Sequence, residues 1–310
     1  MNDLDAQDGA SDQLLVSERL NDSTGFYVRA TRKLGDWQTR FQRLEIFDTP
    51  HYGRILRTDG CNMTSEREEF VYHENLIHPV LTAHAAPKRV LIVGGGDGGS
   101  AEEALKHPSL EQVTLCEIDP EMLRLAKEHF AAVHRGAFDH PKLRLLVGDG
   151  IGLIRETPER FDLIALDLSD AAAPAEEVYS GEFLQRCRQA LAPGGALVLP
   201  IGMPVARPER VAELAQRLNG VFRIVRPYTL YVPLHGAQCA LAVCSDKLDP
   251  KSFTADEIDR RIEQRRLQDL RYYNGETHEG VFALPNYVRD LVNPPRLKLQ
   301  LRGRRLGVVR

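Results

Sequence analysis

The sequence predicts an α/β protein in which a doubly wound, largely parallel sheet follows a small β unit. From Lys88 onward, apolar strand-like runs alternate with amphipathic helical stretches, the pattern of a parallel sheet covered on both faces. Residues 13–70 instead carry short alternating strands separated by turns. A third observation marks a ligand site. The run Val90-Leu91-Ile92-Val93-Gly94-Gly95-Gly96-Asp97-Gly98-Gly99 takes an apolar strand into a glycine loop with a carboxylate inside it, and a helix opens at Ser100. Glycines let a backbone approach a ligand closely, and the helix points its free N–H groups into the same space.

In chain order, residues 1–12 are polar and predict a disordered N-terminus. Strands are predicted over Gly25–Thr31, Phe41–Phe47 and Arg54–Arg57, the last closed by the Asp59-Gly60 turn, so that 13–70 form a β domain. A helix runs from Glu68 to about Ala85 and ends near Pro87. The β/α alternation of 71–295 contributes helices over Ser100–Lys106, Glu121–Val133 and Gly181–Ala192. Pro193-Gly194-Gly195 stops the last of these before the strand Ala196–Leu199. After a helix over Ala212–Leu218, the runs Arg223–Pro227 and Ala240–Cys244 predict a closing antiparallel pair, and Asp256–Leu270 predicts a surface helix. Residues 296–310 hold six basic residues and no acid, the composition of a solvated tail or a subunit contact.

Composition excludes several classes. With 310 residues, 43% hydrophobic and 27% charged, the chain has the make-up of a globular protein with a sizeable core. A net charge of −4 gives no footprint for nucleic acid or an anionic membrane, and no apolar run approaches spanning length. The start Met1-Asn2-Asp3-Leu4-Asp5 is acidic where a signal peptide needs basic residues. The five cysteines form no C-x-x-C pair, which predicts reduced thiols and a cytoplasmic location. The histidines other than His73 and His235 show no metal-ligand spacing, and no metal is expected.

Gly94, Gly96 and Gly99 satisfy G-x-G-x-x-G, but Asp97 argues against a dinucleotide. A pyrophosphate seated there would meet a carboxylate at a cost of roughly 4 kcal/mol at the dielectric of a protein surface. Three more predicted strands end in acids: Cys116 before Glu117-Ile118-Asp119, Val147 before Gly148-Asp149-Gly150, and Leu166 before Asp167-Leu168-Ser169-Asp170. Ligands of a doubly wound sheet bind outside these carboxyl ends. Glu117 stands where an acid takes ribose hydroxyls, and Asp149 is placed to accept from an adenine amino group. Asp97, Asp167 and Asp170 remain for a cation. Simpler roles compete: Asp119, before Pro120, is a helix cap; Asp170 is open to a cap or turn reading; Tyr72 suits a core; His73 suits a hydrogen-bonded helix histidine. Asp97, flanked by glycines, has no evident structural task.

From about Phe41 to Val292 the chain resembles the polyamine aminopropyltransferases, of which spermidine synthase is the usual member. The resemblance rests on separated blocks in order: Phe41-Gln42, Tyr52–Leu56 with Asp59-Gly60, Glu66–Glu74, the GGGDGG loop, Cys116–Asp119, Gly148–Gly150, Asp167–Asp170 with Pro174-Ala175-Glu176, Tyr272–Asn274 and Phe282–Pro285. It implies a methyltransferase-like Rossmann domain behind a small N-terminal β domain, assembled as a homodimer or homotetramer. It also implies decarboxylated S-adenosylmethionine as donor co-substrate, putrescine as acceptor, and no cofactor. Carried over by position, Gln42, Glu117, Asp149, Gly150 and Pro174 would bind the donor nucleoside. Tyr72, His73, Asp97, Asp167 and Asp170 would bind the polyamine, with Asp167 the proton acceptor.

The chain departs from the family on the acceptor side. Met63 stands where Gln is common, Ala171-Ala172-Ala173 replaces a Pro- and Gly-containing loop, and His235 replaces a Tyr that contacts the polyamine. The family's acceptor-site tryptophan has no evident counterpart, Trp37 included. Spermidine synthase is therefore the first reading, and a thermospermine or spermine synthase type with a different acceptor is the second. A small-molecule methyltransferase and a non-catalytic nucleoside-binding homologue are weaker alternatives, disfavoured by Asp97 and Asp167 respectively.

Overall fold

The structure, a computed structural model, describes residues 14–168 and 178–293. The predicted N-terminal disorder, the basic tail, Asp170, Ala171–Ala173 and Pro174 lie outside the described residues. A hairpin of β1 (Leu14–Arg19) and β2 (Gly25–Ala30) leads into an antiparallel sheet of β3 (Arg32–Gln38), β4 (Arg43–Thr49), β5 (Gly53–Thr58) and β6 (Cys61–Ser65). After α1 (Phe70–Ala83) come β7 (Arg89–Gly94), α2 (Gly99–Leu105), β8 (Gln112–Glu117), α3 (Pro120–His129), α4 (Ala131–His134), β9 (Leu143–Val147), α5 (Gly150–Glu156) and β10 (Phe161–Asp167). The chain continues through α6 (Gly181–Ala190), β11 (Leu191–Gly202), α7 (Pro208–Val221), β12 (Ile224–Val232) and β13 (Ala237–Ser245) to α8 (Ala255–Arg265), α9 (Gly275–Val281) and α10 (Asn286–Val292).

The large sheet has the order β12-β13-β11-β10-β7-β8-β9. Strands β7 to β11 are parallel, and β12 and β13 close one edge as the predicted antiparallel pair. The order reverses between β7 and β10, which opens a crevice at their carboxyl ends. Apolar clusters cover both faces: Ile77, Leu81, Ile92 and Leu241 belong to one, and Leu91, Phe183, Leu197 and Leu214 to the other. The predicted helix Glu121–Val133 is in fact two helices. Phe130, whose backbone leaves the helical region (φ −120°, ψ 38°), breaks it and buries its ring with Leu44, Ile46 and Leu125, fastening the N-terminal sheet to the large domain.

Helix α1 is buried along most of its length and carries Pro79 inside it. Proline has no N–H to give the carbonyl four residues back, so Asn75 is left with an open acceptor in a dry core. The Tyr228 hydroxyl fills it at 2.7 Å. Glu74, on the same helix, accepts the backbone N–H groups of Arg271, Tyr272 and Tyr273 at 2.7–2.9 Å, which pins the C-terminal segment across α1. Tyr228→Phe should therefore lower unfolding free energy by about 1–3 kcal/mol, because the Asn75 carbonyl loses its donor in the core. Denaturant titration checks this, and a loss below a few tenths would mean that another group satisfies that carbonyl.

Candidate active site

The crevice is a cleft walled by the glycine loop, the ends of β8, β10 and β11, helix α1, the β5–β6 region and the first hairpin. Gln42, Tyr72, His73, Asp97, Glu117, Asp167 and His235 all line it, together with Met63. The strand order brings Asp97 and Asp167 to adjacent strand ends. Gly95 (φ +66°) bonds its N–H to the Asp167 carbonyl at 2.9 Å, and a Cβ there would sit 2.8 Å from Asp167 Oδ2. Only glycine combines that backbone with that approach. His73 completes the group: ligand atoms of His73, Asp97 and Asp167 all lie within 4.8 Å of one another.

His73 Nδ1 lies 2.8 Å from Glu69 Oε2 and Nε2 lies 3.4 Å from Asp97 Oδ2. Burial alone would strip the ring of its proton, but the Asp97 and Glu69 carboxylates overcome it and raise its pKa well above the usual histidine value. Burial would likewise protonate Asp97, and the His73 charge holds it below the ordinary carboxylate value. Asp97 also has a structural task that its glycine flanks conceal, since Oδ1 accepts the Gly99 N–H at 3.0 Å. Asp167 is raised by burial and by Asp97, with His73 opposing, while its Oδ2 accepts from Ser100 Oγ at 2.6 Å. Among the described residues this trio is the one group spaced for a metal ion. The raised pKa of His73 disfavours it as a metal ligand, because an imidazolium has no lone pair to offer. Two carboxylates beside it make a seat for an organic cation.

On the other side of the glycine loop, Glu117 ends β8, and its Oε1 accepts the Asp119 N–H at 2.9 Å. Asp119 caps α3 as expected and also takes bonds from Thr39 Oγ1 and Gln42 Nε2. Gln42 thus reaches the cleft from the N-terminal domain along a chain that ends at Glu117. Asp149 and Gly150 follow the edge strand β9 and are not part of the cleft wall; the exposed Asp149 caps α5 through the Ile151 N–H. His235, in a 3₁₀ turn, lies 3.4 Å from the Met63 carbonyl with its ring 6.1 Å from Tyr72, so two of the departures meet. Trp37 is not among the wall residues and packs near His129.

Two acids escape the sequence reading. Glu18 lines the cleft at 7% exposure, its carboxylate accepts the Asn62 N–H, and burial raises its pKa to about 7. Its signal was the alternation of β1, where Val16 and Glu18 share the inward face. Glu69 sits four residues before His73, the spacing of facing helix residues.

The spermine/spermidine synthase domain model matches residues 69–256. A polyamine aminopropyltransferase of Nitrosomonas europaea is 44% identical over 278 residues, covering 90% of this chain and 86% of that one. Polyamine aminopropyltransferase 2 of Hyperthermus butylicus is 40% identical over 260 residues, covering 83% and 85%. A crystal structure of a spermidine synthase with the transition-state analogue AdoDATO superposes with a TM-score of 0.85 at 30% identity, covering 93% of this chain and 98% of that one. The spermidine synthase of Thermotoga maritima gives a TM-score of 0.82, also at 30% identity, covering 93% and 97%.

Burial raises the Glu117 carboxyl from 4.5 to about 7. Between those values the folded chain holds a proton that the unfolded chain releases, so stability falls as pH rises through the interval. Glu117→Gln should therefore be more stable than the parent at pH 8, by on the order of 1–3 kcal/mol, and gain little at pH 5. Denaturant titrations at the two pH values test this, and an equal difference at both would contradict it.

Proposed function

The chain belongs to the spermine/spermidine synthase family and is an aminopropyltransferase; we propose that it transfers the aminopropyl group of decarboxylated S-adenosylmethionine to putrescine, giving spermidine and methylthioadenosine. The observation that carries this reading is the convergence of His73, Asp97 and Asp167 within 4.8 Å beside a cleft that also holds Glu117 and Gln42. That is an anionic seat in the same groove as an acid and an amide able to hold a nucleoside.

The proposed donor brings its own leaving group, so alignment and a neutral amine are what the protein supplies. The amine lone pair forms the C–N bond to the carbon beside sulfur, the C–S bond breaks, and its electron pair leaves on sulfur as a neutral thioether. Asp167 takes the amine proton, a task for which its raised pKa suits it. Asp97 faces the donor's ammonium, and the α-carboxylate of ordinary S-adenosylmethionine would be repelled there. Glu117 takes the ribose hydroxyls and Gln42 supports the nucleoside; Asp149 and Gly150, beyond the cleft wall, and Pro174, outside the described residues, are assigned to the nucleoside by the family resemblance alone. Tyr72, His73, Asp170 and His235 serve the acceptor. No redox cofactor or metal enters this chemistry. None of the five cysteines is in a disulfide, which suits the cytoplasmic location of this reading, and no described helix is long and apolar enough to cross a membrane. Assembly as a homodimer or homotetramer belongs to the same reading. One observation favours a longer polyamine as a second acceptor: the wall carries a further buried acid, Glu18, able to hold an additional ammonium.

Incubation with decarboxylated S-adenosylmethionine and a panel of diamines and polyamines, read by mass spectrometry, tests the reading. Spermidine and methylthioadenosine from putrescine are expected; methylated products, or none, would overturn it. Asp167→Asn keeps the volume and loses the proton acceptor, so turnover should fall by roughly 10²–10⁴ while methylthioadenosine still binds. Near-normal turnover would remove Asp167 from the role of base.

A further inference from the structure

Glu69 immediately precedes α1, the position whose side chain ordinarily bonds a free N–H of the first turn. Its side chain makes no such bond. The carboxylate, wholly buried, is divided instead between two partners: Oε2 meets His73 Nδ1 at 2.8 Å and Oε1 meets Arg135 Nη2 at 2.8 Å. Arg135 is in turn held by Glu102 at 3.1 Å. It follows α4 with φ +40°, a left-handed backbone uncommon for a residue with a side chain, so the chain holds a disfavoured conformation where it aims this guanidinium. The other face of the imidazole is equally confined. The ring lies so close to Gly99 that a Cβ there would stand 2.3 Å from Nδ1.

We propose that Glu69, backed by Arg135, is the positioning residue of this site: it fixes the His73 ring so that both nitrogens carry hydrogen and Nε2–H faces Asp97. This deepens the aminopropyl-transfer reading and rests on it for its effect on turnover, but not for the state of the ring. A carboxylate on Nδ1 orients the imidazole and raises its basicity, so that Nε2 can donate to a second carboxylate. The groups that face His73 are Glu69 on its own helix, Glu68 just before it, Asp97 from the glycine loop and Asp167 from the end of β10, with Arg135 behind Glu69. Four acids around one ring favour the imidazolium. The imidazolium keeps Asp97 ionised and offsets part of the negative charge that would otherwise raise Asp167 further. Glu69 touches no substrate atom in this scheme and acts through His73.

The test is an NMR titration of the His73 ring in the full chain labelled at histidine nitrogen, in parent, Glu69→Gln and Glu69→Asp proteins. The parent should hold protons on both nitrogens through neutral pH. In Glu69→Gln, which preserves shape and loses charge, the second proton should leave at lower pH, with Glu69→Asp in between. A parent ring carrying a single proton at neutral pH would overturn the proposal without any variant. In the transfer assay, Glu69→Gln should lose about tenfold to a hundredfold in turnover, taking the scale from partners that orient metal-ligating histidines. The deficit should widen as pH rises, because the variant loses the imidazolium first, while methylthioadenosine affinity stays unchanged. In a His73→Gln background the same change should add no further loss. A pH-independent deficit, or one that persists in that background, would reduce Glu69 to a structural residue. If the parent transfers no aminopropyl group, the function falls, and the NMR arm still decides the state of the ring.

Discussion

Carboxylates buried side by side repel one another, and the site is organised around that repulsion. The reversal of strand order between β7 and β10 sets Asp97 and Asp167 at neighbouring strand ends. Two such charges in a partly dry crevice are tolerated only with compensation. Part of it is internal: His73 stands against Asp97, Ser100 donates to Asp167, and Gly99 donates to Asp97. The remainder is left for a ligand that carries positive charge. A phosphate site on the same fold would present backbone N–H groups to an anion, whereas here the loop contributes an acid.

The N-terminal sheet completes the cleft. Phe130 and its neighbours bind that sheet to α3, which brings Gln42 within reach of Asp119 and Glu117 and makes β5 and β6 part of the wall. Met63 and His235 come from strands and turns far apart in the chain and meet on the side where the proposed acceptor lies. In the proposed function, donor and acceptor are therefore held by surfaces built from different elements.

Much of this was legible in the residues. The apolar runs ending in acids located the parallel strands, and the glycine loop with Asp97 pointed to a cation before any geometry was known. The closing antiparallel pair and the cap at Asp119 followed from local pattern. What local pattern does not carry is strand order, and strand order is what joins Asp97 to Asp167. The break at Phe130 was hidden because its cause is a distant apolar pocket between Leu44 and Ile46. Glu18 and Glu69 were hidden for a related reason, as an acid in a strand or at a helix start reads as solvated until its burial is seen. Asp149 shows how little position alone decides: its place after β9 suggested the nucleoside, and its carboxylate also accepts the Ile151 N–H at the start of α5.

The central claim is that the crevice selects its ligand by charge, and titration calorimetry with two ligands differing by one carboxylate tests it most directly. Decarboxylated S-adenosylmethionine should bind the parent chain more tightly than S-adenosylmethionine, and Asp97→Asn should narrow that gap because only the second ligand carries the repelled group. Equal affinities in the parent, or an equal weakening of both ligands in the variant, would contradict the account.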